Sequence, residues 1–192
     1  MLEGNLVCLR ALEPGDLGFL LEWRNRPDFR CYFREYRELS LDRQKVWYER
    51  TVLNDSSTIM FSIVKKATGE LLGACGLCYI NWVNRSADFS IYIGAENLYI
   101  DKKYAPDAAI VMARYAFGEI NMHRVWAEVY DFDERKIALF KSLGFRLEGH
   151  FKETYWHDNC WHDSLFFSML EYDYATYNKK DKNQSNAKND LS

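Results

Sequence analysis

Three stretches between Ile59 and Ile93 constrain this chain most. Ile59 to Lys65 and Leu71 to Ile80 have strand composition, and only Ala67-Thr68-Gly69-Glu70, with its turn chemistry, separates them. They read as a hairpin. Ala87 to Ile93 alternates again and adds a further strand, so the chain must fold around a sheet whose consecutive strands pair.

The flanking segments supply the cover that such a sheet needs. Leu6 to Ala11 reads as a first strand, and Glu13-Pro14-Gly15-Asp16 breaks it and caps a helix running to about Asn25, with Leu17, Leu20, Leu21 and Trp23 along one side. Arg26-Pro27 ends that helix. Ser40 caps a second, whose Val46, Trp47 and Val52 mark a buried stripe. Pro106 to Ile120 carries Ala108, Val111, Met112, Tyr115 and Ala116 at helical spacing, and His123 to Tyr130 is a strand. A helix from Asp133 to Leu143 stops at Gly144-Phe145, ahead of two aromatic strands, Phe151 to Trp156 and Asp163 to Leu170. The order β-α-α-β-β-β-α-β-α-β-β predicts an α+β fold, a mixed and mostly antiparallel sheet flanked by helices.

A length of 192 residues with 48% hydrophobic content suits one domain, expected over 1–177. The polar run from 178 to 192 has almost nothing to bury and is expected to be disordered. A net charge of −3 offers no field for a polyanion, so no nucleic-acid partner is expected. The N-terminal residues lack a signal-peptide pattern and no apolar run is long enough for a span, which predicts a cytoplasmic protein without a membrane partner. Cys75 and Cys78 sit three apart in one strand and so face opposite ways, and His157, Cys160 and His162 fall in a hairpin turn. No metal site is expected at either.

Leu143-Gly144-Phe145 followed by Arg146-Leu147-Glu148-Gly149, within this element order, resembles the GNAT acetyltransferases, in particular their ribosomal-protein-acetylating branch and the amino-sugar acetyltransferases. Glu22-Trp23-Arg24-Asn25, Arg114-Tyr115-Ala116-Phe117, His123 to Val129 and Asn159 to Asp163 add to the resemblance, which spans residues 6–172. It implies a splay between the fourth and fifth strands of that order, acetyl-CoA as co-substrate within the splay, and its pyrophosphate at the start of the third helix, where free N–H groups hold phosphate. Tyr92, Ile93 and Gly94, the loop Ile100-Asp101-Lys102-Lys103-Tyr104-Ala105, Asp133 and Phe140 are the implied cofactor contacts. The loop departs from the family pattern, with Ile100 in place of Arg or Gln and Lys103 in place of the first Gly. Asp133 stands where the family often has Asn, and Phe140 where many members carry a tyrosine acid.

Acetyl transfer to an amine by direct attack needs a base, an N–H donor for the carbonyl oxygen and an acid for the thiolate. Glu128 and Asp88 are the candidate bases, since a carboxylate within a strand must face a cleft, a partner or solvent. Tyr130 and Tyr92 are candidate acids, or core residues, and a backbone N–H near Tyr92 to Gly94 is the candidate oxyanion donor. Arg24 and Asn25, with Tyr32 and Phe33, belong to the implied acceptor wall. Arg24 can hold a carboxylate or phosphate there, or simply complement the helix dipole. The acceptor is a small-molecule or peptide amine, the aromatic C-terminal strands can pair in a homodimer, and the competing function is an idle CoA-binding or ligand-sensing module.

Overall fold

Residues 1–178 are described in the computed structural model, so the tail expectation falls, apart from Asn178, outside the described residues. The hairpin forms as its sequence requires. β3 (Ile59–Lys65) and β4 (Leu71–Asn81) pair antiparallel across a turn in which Gly69 takes φ 74°, and β5 (Ser86–Ile93) pairs antiparallel with β4. β1 (Leu2–Glu3), which the sequence did not announce, and β2 (Val7–Ala11) extend one edge. β6 (Arg124–Tyr130), β7 (Arg146–His157) and β8 (Cys160–Leu170) complete an eight-stranded sheet of order β1-β2-β3-β4-β5-β6-β8-β7. β7 and β8 are longer than their aromatic cores suggested. They are joined by a two-residue turn in which Asp158 and Asn159 both have positive φ, the geometry that suits a twisted hairpin.

One pair breaks the antiparallel pattern. β5 and β6 run parallel and are paired only through Ser86↔Arg124, Ala87↔Val125 and Asp88↔Trp126. Beyond Asp88 they part, while β4 stays on β5 and β8 stays on β6. The splay is therefore part of the fold, and it opens between the C-terminal halves of the two strands.

The helices fix its surroundings. α1 (Leu17–Asn25) buries Leu17, Leu20 and Trp23, and the short α2 (Pro27–Arg30) follows at once. Ser40 caps α3 (Leu41–Trp47) by accepting the Arg43 N–H at 3.2 Å, and residues 48–53 continue it with π-helical bonding. α4 (Tyr104–Arg114) is the crossover between the parallel strands. It starts two residues ahead of the expected Pro106, because the Asp101 carboxylate captures its first N–H groups. α5 (Glu134–Ser142) is capped by Asp133 and ends in a Schellman motif: Gly144, at φ 87°, donates to the Lys141 carbonyl and Phe145 to that of Phe140.

Gly94, at the end of β5, carries the Trp23 ring. A Cβ there would lie 1.9 Å from that ring, so α1 can approach the sheet only over a glycine. Gly94→Ala is expected to destabilise the fold by about 1–3 kcal/mol, read as a lower urea midpoint at unchanged m. An unchanged midpoint would contradict this packing.

Candidate active site

Side chains alternate across β5, so Asp88, Ser90 and Tyr92 line one cleft while Phe89 turns away onto Phe140. Glu128 and Tyr130 reach the same cleft from β6. Its volume is about 620 Å³, and it runs from the splay to the segment that follows α2. Both candidate bases thus face one opening. They are joined by a residue that the sequence did not single out: Arg34 places one guanidinium nitrogen 2.7 Å from Asp88 and the other 3.0 Å from Glu128.

Burial pushes the Asp88 carboxyl up, against the pull of Arg34, while burial of Arg34 is more than offset by the two carboxylates, which hold it charged. Glu128 is less enclosed, with a side chain 22% exposed against 7% for Asp88. The Ser164 hydroxyl donates to Glu128 at 2.7 Å. A base must reach both the incoming amine and the bulk, and Glu128 meets that condition better. Burial raises the Tyr130 phenol to about 12, so it keeps its proton at neutral pH, and the ring stacks on Tyr155 at 3.9 Å between centroids. Tyr92 is buried edge-on against Phe33 and is likewise shifted up by burial.

The parting of β5 and β6 is partly filled by the chain itself. Of the candidate oxyanion donors from Tyr92 to Gly94, the Ile93 N–H donates to the Tyr99 carbonyl at 2.6 Å and the Gly94 N–H to that of Leu72 at 2.8 Å, so these two are not free. The Tyr99 ring stacks on Tyr32 at 4.1 Å, and its hydroxyl donates to Asp133. Lys136, which with Asp133 departs from the family's Asn and Ser at the start of α5, sits 4.0 Å from Asp133 and 5.3 Å from the Tyr99 ring, and burial lowers its ammonium pKa. Glu96, Asn97 and Tyr99 all have positive φ, a costly conformation for residues with side chains.

At the foot of α4, Asp101 accepts the N–H groups of Lys103 at 2.9 Å and of Tyr104 and Ala105 at 2.8 Å. These are the donors a pyrophosphate would use. Parted strands and a helix N-terminus therefore fit acetyl-CoA in outline, while Tyr99 is bridged to Ile93 within the parting and Asp101 holds the first N–H groups of α4. Ile100 and Tyr104 are buried, Ala105 is fully so, and Lys103 lies over the Tyr104 ring. Lys102 is exposed. Phe140 is corrected: it is 0% exposed among Phe89, Phe145 and Phe167 and presents nothing to the cleft. Asn25 is corrected too, since both ends of its amide bond the Leu39 backbone at 2.8 Å, tethering the acceptor wall without facing the cleft. Tyr32, Phe33 and Arg24 do line it.

Among the described residues no three His, Cys, Asp or Glu side chains gather as they would around a metal ion. His162 is engaged with Asp131 and Cys160, each at 3.1 Å. No helix there is long and apolar enough to cross a membrane.

The sequence profile of the acetyltransferase (GNAT) domain matches residues 7–146. The chain belongs to the GNAT family. It is an acetyl-CoA-dependent N-acetyltransferase, which sets aside the idle module weighed from the sequence. Spermidine N(1)-acetyltransferase of Vibrio cholerae is 30% identical over 149 residues, covering 78% of this chain and 84% of that protein. Its Escherichia coli K12 namesake is 30% identical over 156 residues, 81% of each. The crystal structure of the V. cholerae spermidine N-acetyltransferase in complex with CoA and spermine superimposes with a TM-score of 0.81 at 27% identity, over 88% of this chain and 98% of that one. These relatives of the family carry spermidine in their names, not the ribosomal-protein or amino-sugar acceptors toward which the motifs pointed.

Proposed function

We propose that this GNAT chain acetylates the primary amine of a small molecule held in the cleft, by direct attack, with Glu128 as base. The observation that carries this reading is the convergence of Asp88 and Glu128 on one guanidinium where β5 and β6 part. Relatives named for spermidine support a small amine over a protein N-terminus. Acetyl-CoA supplies an activated acetyl thioester. Glu128 accepts the proton that the ammonium must lose, directly or through one water, and Asp88 holds Arg34 so that the carboxylates do not repel. Tyr130 keeps a proton available to the departing thiolate, and the new N–C bond forms as C–S breaks.

The cofactor's pyrophosphate belongs on the N–H groups of residues 103–105 once Asp101 releases them. If the Tyr99 carbonyl withdraws as well, the Ile93 N–H that it accepts from is freed for the developing oxyanion. Exposed Leu147, Phe151, Trp156 and Trp161 on β7 and β8, at the sheet edge, support pairing with a second copy. The test of function is thiol release from acetyl-CoA over a panel of small amines and of peptides with free N-termini, with products weighed by mass spectrometry. One acetylated amine per thiol supports the reading. Acetylation confined to peptide N-termini would overturn it.

A further inference from the structure

A second hollow, of about 460 Å³, lies between α1 and α3 and shares Arg24, Glu35, Trp47 and Thr51 with the acceptor cleft. Two buried donors in its wall have no acceptor. Gln44 is only 2% exposed, yet its Nε2 makes no hydrogen bond, and the Nε of Arg24 is buried and equally unpartnered. Burying such donors is unfavourable unless something completes them.

The charges of the same wall are unbalanced. Arg43, Trp47 and Arg50 follow one another at helical spacing along α3 and its continuation. Among the described residues no carboxylate lies within ion-pair distance of Arg24, Arg43 or Arg50, although Arg43 acts on Glu35 through space, and Arg24 lies over the Phe33 ring at 5.1 Å. The acids of the hollow already have cations: Glu35 is gripped by two nitrogens of Arg37, at 2.7 and 2.8 Å, and Asp42 faces Lys45 at 3.7 Å. In the adjoining cleft Arg34, Arg37 and Lys136 are all matched by acids. Asp55, on the far side of the cleft, is held among the described residues by Ser57 and Thr58 alone, so the guanidinium groups without a close acid are those gathered on the side of the hollow.

We propose that this hollow receives an anionic group, a carboxylate or a phosphate, carried by the acceptor amine, with the Arg24 guanidinium as its direct donor, the Gln44 amide buried behind it in the wall, and Arg43 and Arg50 supplying the field. The proposal rests on the small-amine reading above and names the substrate class within it. Arg24 stands at the junction of hollow and cleft, so an acceptor can set its amine toward Glu128 and its anion on Arg24. A polyamine would meet three unpaired guanidinium groups in the same place.

The test compares four primary amines of one chain length, ending in a carboxylate, a phosphate, a methyl group or a second ammonium. The anionic pair should exceed the diamine in kcat/KM on the order of 10-fold or more, with the carboxylate and phosphate arms showing which anion fits. Arg24→Gln and Gln44→Leu should each raise KM for the anionic amines, with a loss at least roughly 10-fold heavier than for the methyl-ended amine. Thermal melting and acetyl-CoA affinity of the variants control for folding. A preference for the diamine, or variants that treat all four amines alike, would overturn the proposal. If none is acetylated the small-amine reading fails, and titration calorimetry of the same amines still decides the subsite: tighter anionic binding lost in Arg24→Gln supports it, and uniform binding rejects it.

Discussion

Glu128→Gln is expected to lower kcat on the order of 10²-fold or more. The substitution keeps the size of the side chain and an oxygen for the Ser164 hydroxyl, so the hydrogen bond at 2.7 Å can persist. What disappears is the negative charge facing Arg34 and the capacity to take a proton from the amine. The deficit should shrink as pH rises, because the neutral amine then needs no base. A pH series of kcat for the variant and the parent checks both the size and the slope. Near-normal turnover at neutral pH would move base duty to Asp88 or to an ordered water.

The second large effect concerns Asp101. Its carboxylate caps the start of α4, so Asp101→Ala should cost about 1 kcal/mol of stability, as loss of an N-terminal cap does. The same change releases three N–H donors and removes a negative charge from the place where a pyrophosphate must sit. Acetyl-CoA affinity should therefore rise on the order of 10-fold while the melting temperature falls. Calorimetry and a thermal melt read the two opposite signs. If affinity falls together with stability, the carboxylate organises the cofactor site and does not compete for it.

Much of the fold was legible because its signals are local. Ser40 and Asp133 cap helices, Gly69 turns a hairpin and Gly144 closes α5, and each of these depends on a few adjacent residues. The two-residue β1 carries too little pattern to be seen, and the start of α4 was misplaced because Asp101 reaches across a turn to its N–H groups. Within the site, Glu128 and Asp88 stood out as charges inside strands. Arg34 did not, because it lies in an irregular segment and meets Asp88 only through folding, 54 residues away. Phe140 and Asn25 show the opposite limit. Position in a family pattern suggested contact with ligand, while packing among phenylalanines and a backbone tether decide where those side chains are. Nor does sequence register the unpartnered nitrogens of Arg24 and Gln44, since an unmet hydrogen bond exists only in three dimensions.

The most direct measurement is a crystal structure of the chain with CoA and an amine acceptor. The CoA sulfur should lie between β5 and β6 beyond Asp88, with the acceptor nitrogen within direct or one-water reach of Glu128 and the pyrophosphate on the N–H groups of residues 103–105. A sulfur outside the splay, or phosphates remote from the start of α4, would contradict the assignment of acetyl transfer to this cleft.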